Sequence, residues 1–145
     1  MKLTCALSLC FAAAWLPLHA TAQTVPLQPG KYEVTASITF SNVQEKAKPD
    51  TNTRCIKAED LANVEAVFNN RFMAGFKADA SCKVSGLAIG NGKISYSSDC
   101  KYGSVRVEGT LSNDSFSVVR TAKAKASGGV NVSTKLQARR IGACK

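Results

Sequence analysis

Cysteines and carboxylates are the residues of this 145-residue chain whose types could support chemistry. Cys5 and Cys10 lie in the apolar N-terminal segment, and the other four cysteines lie at long, unequal intervals: Cys55, Cys82, Cys100 and Cys144. As thiolates they could bind zinc, but structural zinc sites usually bring cysteines in close pairs such as C-x-x-C. An even number of widely spaced cysteines favours two disulfides in an oxidising compartment, which would leave no thiol nucleophile.

The N-terminal segment indicates that compartment. Lys2 precedes an almost wholly apolar run over residues 3–18, and Ala20-Thr21-Ala22 offers the small residues that a signal peptidase needs. The run is short and ends at a proline, which disfavours a retained membrane anchor. We therefore predict a signal peptide over 1–22, a single domain over 23–145, and a periplasmic or secreted protein with no transmembrane span after cleavage.

Cleavage would remove the only histidine, His19, and the only tryptophan, Trp15. A chain without histidine has no Ser-His-Asp or Cys-His arrangement and no histidine-ligated zinc, copper or haem. We therefore expect no metal, no cofactor and no catalytic residues. The remaining candidates are ten carboxylates, none of which stands out as half of a facing pair: Glu33, Glu45, Asp50, Glu59, Asp60, Glu65, Asp79, Asp99, Glu108 and Asp114.

The net charge of +9 falls to +8 when Lys2 leaves with the signal. This charge favours anionic envelope components or another, acidic, envelope protein as partners, and nucleic acid is not expected outside the cell. If residue 126 lies opposite 130, Lys123 faces Ser133 and Lys125 faces Asn131. Lys123, Lys125, Lys135 and Arg139 then share one side of the sheet. They form a candidate anion-binding face, although a solvated face of a half-buried sheet has the same pattern.

Hydrophobic periodicity predicts seven strands and one helix. The strands are expected at 31–40, 51–56, 82–89, 93–101, 104–111, 115–125 and 130–141. The links between the last five are short and rich in turn residues, which requires antiparallel neighbours. Residues 57–72 carry apolar side chains at helical spacing, with Glu59 and Asp60 in the first turn, where the helix dipole favours negative charge.

The stretch from Cys82 to Cys100 contains Gly90-Asn91-Gly92 near its middle. A three-residue loop over 90–92 would place 89 opposite 93 and Cys82 directly opposite Cys100, within the Cα separation that a disulfide accepts. A two-residue loop would shift the register by one and weaken the match. The first register predicts Cys82–Cys100, which leaves Cys55 to pair with Cys144.

Five motifs in this order resemble one family: PGKYEV at 29–34, RCIKAEDL at 54–61, CK at 82–83, Cys100, and RRIGAC at 139–144. The family comprises small exported bacterial proteins catalogued as domain of unknown function three-six-one-seven. It typically has tryptophan in place of Tyr32 and Thr-Pro in place of Lys57 and Ala58. Loss of a threonine N-cap costs about 1 kcal/mol of helix stability. The resemblance implies export and supplies no catalytic residues.

These observations predict a mainly β fold: a curved antiparallel sheet meander or incomplete barrel, packed on one helix and held by two disulfides. The function expected first is that of a non-catalytic envelope protein with a binding or structural role. The alternative is a carrier whose sheet encloses a small apolar ligand, and a carboxylate-based hydrolase is a third. A filled core favours the first, an apolar cavity the second, and a buried carboxylate pair the third.

Overall fold

The computed structural model describes residues 24–42, 47–68, 81–126 and 128–145. The predicted signal peptide over 1–22 lies outside these residues. The strands are β1 (Gly30–Phe40), β2 (Asp50–Ile56), β3 (Lys83–Gly90), β4 (Lys93–Cys100), β5 (Gly103–Leu111), β6 (Ser115–Ala124) and β7 (Val132–Gly142). Two short helices, α1 (Ala58–Leu61) and α2 (Val64–Ala66), lie between β2 and β3.

Within the described ranges, the seven strands form one antiparallel sheet in the order β2-β1-β7-β6-β5-β4-β3. Strands β3 to β7 follow one another as a meander because their links are too short for a parallel crossover. Strand β1 then pairs with β7, which brings the two ends of the domain together. The sheet is open, with β2 and β3 at its edges, and the predicted mainly β fold with two disulfides is confirmed.

Alternate residues of each strand point to opposite faces of the sheet. The inner face carries fully buried side chains such as Tyr32, Val118 and Leu136, and the outer face is polar. The helical segment covers part of the inner face, where the ring of Phe68 meets that of Phe116 edge-on with centroids 5.2 Å apart. This contact fixes the position of the core between sheet and helices.

The β3–β4 hairpin contains the predicted Cys82–Cys100 disulfide, with Cα atoms 4.0 Å apart. The register behind that prediction is wrong, because Gly90 lies opposite Lys93 across a two-residue turn. Both turn residues have positive φ, 50° at Asn91 and 69° at Gly92, as a type I′ turn requires.

A β-bulge then corrects the register. The pairing shifts between Ser85 and Ala88, and Gly86 between them has φ of 63°. The extra residue brings Lys83 opposite Asp99, and so brings Cys82 up to Cys100. It also keeps Val84 and Ile89 on the inner side, because each faces an inner position of β4.

The second disulfide links Cys55 at the end of β2 to Cys144 after β7, with Cα atoms 5.6 Å apart. Since β1 lies between β2 and β7, this bond spans three neighbouring strands. Each of the two disulfides therefore attaches an edge strand to the sheet, and open edges are where such sheets pair with other chains or fray.

The helix predicted over 57–72 is described as two short helices separated by a turn at Ala62 and Asn63, and its residues after 68 lie outside the described ranges. Lys57 is the N-cap residue, and its backbone N–H donates to Asp60 Oδ2 at 2.8 Å. This is one half of a capping box. The lysine side chain has no acceptor for the other half, and the Asp60 backbone N–H donates instead to the Lys57 carbonyl oxygen at 3.1 Å.

Replacing Gly86 by alanine tests the bulge. A Cβ at Gly86 meets no atom within 4 Å, so the cost comes from the left-handed backbone alone, and G86A should lower the free energy of unfolding by about 1 kcal/mol. The matched control is G90A, which is equally open but has ordinary φ and should lose nothing. Urea denaturation of both oxidised variants measures the difference, and equal effects would contradict the assignment of Gly86 to a strained position.

Replacing Lys57 by threonine tests the incomplete cap. K57T should raise the free energy of unfolding by about 1 kcal/mol, because its hydroxyl supplies the side-chain acceptor at the N-cap that lysine lacks. The Lys57–Glu59 ion pair that is lost is exposed on both sides and contributes little. K57V, which has the shape of threonine without the hydroxyl, is the control. Thermal melts in which K57T and K57V change equally would show that the hydroxyl is not involved.

Candidate functional site

The predicted basic residues lie on the outer face, but the predicted register of their hairpin is wrong. Ala122 lies opposite Val132, whereas the prediction placed 126 opposite 130. Strand β6 already ends at Ala124, because the small and polar residues that follow it belong to the connection. The correction moves the pairing by an even number of residues, so the side chains keep the face that was expected.

Two of the four cations have acidic neighbours. Lys125 Nζ lies 2.8 Å from Asp99 Oδ1 and also donates to the Cys100 carbonyl oxygen at 2.8 Å. Arg139 Nη2 lies 3.7 Å from Glu33 Oε1. These pairs are exposed, so each stabilises the fold by no more than about 1 kcal/mol.

The four cations are also spread along the sheet. Lys123 pairs with Ser104, while Arg139 lies opposite Ser115, eight positions earlier on β6. That spacing corresponds to about 26 Å along the strand. The candidate anion-binding face is therefore a scattered set of charges, and whether it binds anions stays a prediction.

The outer face also has a shallow groove of about 440 Å³ with a mixed polar and apolar lining. Its lining includes Thr35, Ser117 and Gln137, with the Glu33–Arg139 pair at one end. Hydroxyl and amide groups on an open surface hydrogen-bond to water as readily as to a ligand. The polar groups that line the groove can therefore be hydrogen-bonded by water and do not require a ligand.

The inner face has a different feature, a cation on a strand that is otherwise apolar on that side. Phe116, Val118, Arg120 and Ala122 alternate along β6 and all point inward. Arg120 is half-buried, and its Nε is fully buried without a hydrogen-bond partner. Within the described ranges no carboxylate pairs with it, and burial lowers the pKa of its guanidinium.

Two buried hydroxyls on the inner face also lack hydrogen-bond partners, one directly opposite Arg120 and one two strands away, in the next row. Thr134 lies directly opposite Arg120 on β7 and is 0% exposed, and its Oγ1 makes no hydrogen bond. Ser98 on β4 is 2% exposed, and its Oγ is likewise unpartnered. A buried polar atom without a partner costs about 1–3 kcal/mol, so such atoms in a folded protein require an explanation.

The row of side chains beyond Arg120 is apolar and only partly covered. It crosses the sheet from β1 to β4 through successive cross-strand neighbours. Its members are Phe40, Val132, Ala122, Val105 and Ser98, with Phe40 37% exposed and the middle three half-buried. We call this row, together with Ile38, Thr134 and Arg120, the Arg120 end of the inner face.

The opposite end of the inner face is closed. Leu111, Phe116, Ala138 and Val34 form the corresponding row there, and all are buried. The helical segment packs on that row through Phe68. The inner face is therefore filled at this end and partly accessible at the Arg120 end. Two further buried atoms without partners, Asn52 Oδ1 and Arg54 Nε, lie on edge strand β2 opposite Val34 and Tyr32.

Sequence reasoning missed Arg120. The sequence signal is the two-residue alternation of SFSVVRTAKA, whose inward-facing residues are Phe116, Val118, Arg120 and Ala122. A cation in an otherwise apolar alternation is unusual, because charged side chains are seldom buried without a partner. The basic residues that were selected instead lie at the outward positions, where charge is ordinary.

The described residues contain no group of three or more His, Cys, Asp or Glu side chains arranged to hold a metal ion. Several carboxylates already face cations, as in Asp99–Lys125, Glu33–Arg139 and Glu108–Arg106. No helix in these ranges is long and apolar enough to cross a membrane.

Together these features define a small, mainly β protein built on one open antiparallel sheet with both edge strands attached by disulfides. The chain belongs to the family described as protein of unknown function (DUF3617), whose model matches residues 27–144. No curated protein and no solved structure shows a significant match to it.

Replacing Arg120 by methionine tests whether the burial of this cation destabilises the folded domain. R120M should raise the free energy of unfolding by about 1–2 kcal/mol, because it keeps the aliphatic stem and removes an unpaired buried charge. R106M is the control: Arg106 is an exposed outer-face cation paired with Glu108, and its loss should bring no gain. A clear loss of stability in R120M, measured by urea denaturation, would mean that Arg120 supports the fold.

Proposed function

We propose that this protein is a non-catalytic binding module of the bacterial envelope that takes a small, partly apolar ligand at the Arg120 end of its inner face. The observation that carries the proposal is the partly exposed apolar row beside three buried, unpartnered polar atoms. Ligand sites are mostly apolar, with a few polar groups that fix orientation, and this end has that composition. A purely structural domain would gain stability by filling the row and neutralising Arg120.

The envelope location has two supports. The two disulfides indicate an oxidising compartment. The sequence pattern over 1–22 is typical of a cleaved signal, which would deliver the domain to the periplasm or beyond. Anionic envelope components or another envelope protein are then the partners that a net positive domain would meet.

A binding role accounts for the polar groups better than a catalytic one. Arg120 and the hydroxyls of Thr134 and Ser98 can hold a ligand by hydrogen bonds, but a cationic guanidinium does not accept a proton. General acid–base catalysis needs a positioned group that titrates near the working pH. We therefore assign these side chains to recognition.

Binding of the neutral fluorophore N-phenyl-1-naphthylamine tests the proposal, because its emission rises in apolar surroundings. The oxidised domain should enhance the emission in a saturable way. A122F should weaken binding by about tenfold, because a ring at this half-buried position fills the apolar row. The control is V119F, on the same strand but on the outer face, where Val119 is 40% exposed.

The outcome is interpreted after circular dichroism has shown that both variants fold. A smaller substitution, A122L, provides a second probe of the row if A122F unfolds. Absence of any saturable emission change with the unmodified domain contradicts the proposal, as does equal binding by A122F and V119F.

A further inference from the structure

We propose that the ligand is an anionic single-chain amphiphile, whose oxyanion headgroup pairs with Arg120 and Thr134 while its chain covers the apolar row from Val105 to Phe40. This inference rests on the proposed function and specifies its ligand class. It concerns the inner face alone and is independent of the basic residues on the outer face.

The proposed headgroup is an oxyanion because Arg120 has no carboxylate partner in the described part of the chain. A guanidinium is charged at all ordinary pH values and presents N–H donors in a planar fork that matches a carboxylate or phosphate. The Nε of Arg120 is buried and unpartnered, and no carboxylate within the described ranges pairs with it. The Tyr96 phenol interacts with Arg120, but burial raises the pKa of that phenol, so it stays neutral and does not balance the charge. An anion that enters with the ligand would supply the missing acceptor.

Thr134 adds a second donor at the same place. Its Cα lies opposite that of Arg120 in the β6–β7 ladder, so the two side chains emerge from neighbouring strands on the same face, about 5 Å apart. The Thr134 hydroxyl is fully buried and can donate to an oxygen that also accepts from the guanidinium. A headgroup with two or more acceptor oxygens satisfies both residues at once.

The surroundings of this pair favour an apolar tail. Ile38 lies opposite Thr134 on β1, and Val107 lies opposite Arg120 on β5. The next row crosses four strands from Val105 through Ala122 and Val132 to Phe40, a distance of about 14 Å. An alkyl chain along this row would remove partly exposed apolar surface from water, which supplies binding free energy without further polar contacts.

Phe40 is placed to cover the end of such a chain. It is the last residue of β1 and lies opposite Val132, with 37% of its surface exposed. Val130, which is 38% exposed, lies in the connection between β6 and β7, just before β7 begins. An exposed aromatic ring next to exposed aliphatic groups is an accessible apolar patch of the kind that ligands and partners cover.

The test compares two probes of equal chain length, dodecanoate and dodecanol, by calorimetric titration of the oxidised domain below their aggregation concentrations. The unmodified domain should bind dodecanoate about tenfold or more tightly than dodecanol, because hydrogen bonds to a charged group are worth about 1.5–3 kcal/mol. R120Q should lose this preference and bind both probes with similar affinity. R120K, which keeps the charge but loses the fork, should retain part of it.

The matched control is R106Q, which removes the same charge from an exposed outer-face position of the neighbouring strand β5, outside the candidate anion-binding face. It should leave the preference for dodecanoate unchanged. Dodecyl phosphate is included as a second headgroup, since the shared chemistry is an oxyanion on a single chain. Tighter binding of either anion than of dodecanol, abolished by R120Q and kept in R106Q, is the expected result.

The possible failures are distinguishable. If the unmodified domain binds dodecanol and dodecanoate equally and R120Q changes neither, the anionic headgroup is wrong while the apolar site remains. If R106Q loses dodecanoate binding as R120Q does, the anion binds to overall charge and the inference is overturned. If neither probe nor the neutral fluorophore binds, the proposed function fails together with this inference. R120Q is used only after its unfolding transition shows a folded domain.

Discussion

A strict two-residue alternation along antiparallel strands decides which side chains of this protein are buried. Each inward position must be apolar or find a polar partner, since it lies between the sheet and whatever covers it. Tyr32, Val118 and Leu136 satisfy this rule as fully buried core residues. Arg120 and Thr134 break it together, as facing neighbours. Buried unpartnered atoms also occur on edge strand β2, at Asn52 Oδ1 and Arg54 Nε. We regard the Arg120 end as functional because, among the described residues, only there do such atoms adjoin the partly exposed apolar row.

The two disulfides stabilise the open edges of this sheet. Strands β2 and β3 have a hydrogen-bonded neighbour on one side only, and each is attached to the rest of the sheet by one disulfide. Attached edges resist fraying and pairing with other chains. The sheet can then remain open, and its inner face need not be filled completely. The disulfides add stability to the folded domain. That stability offsets the destabilising effect of an unsatisfied charge, which a smaller core without cross-links would tolerate less well.

Much of the fold could be predicted from the sequence because alternation and turn chemistry are local signals. The strands were located to within a residue or two. The hairpin registers were not, since Gly86 forms a bulge and β6 ends before Lys125, and both depend on pairing with a neighbouring strand. The Cys82–Cys100 bond was correct only because the bulge offsets the shorter turn. Arg120 was overlooked because its meaning appears only when the face of β6 is known.

The central claim is that the ligand binds at the Arg120 end of the inner face. Nuclear Overhauser effects between unlabelled dodecanoate and a methyl-labelled sample of the oxidised domain test it most directly, because they report contacts within about the distance of neighbouring side chains. We expect signals from the chain to the methyl groups of Val105, Val132 and Ile38. Signals only to Val119 on the outer face, with dodecanoate bound, would contradict the account.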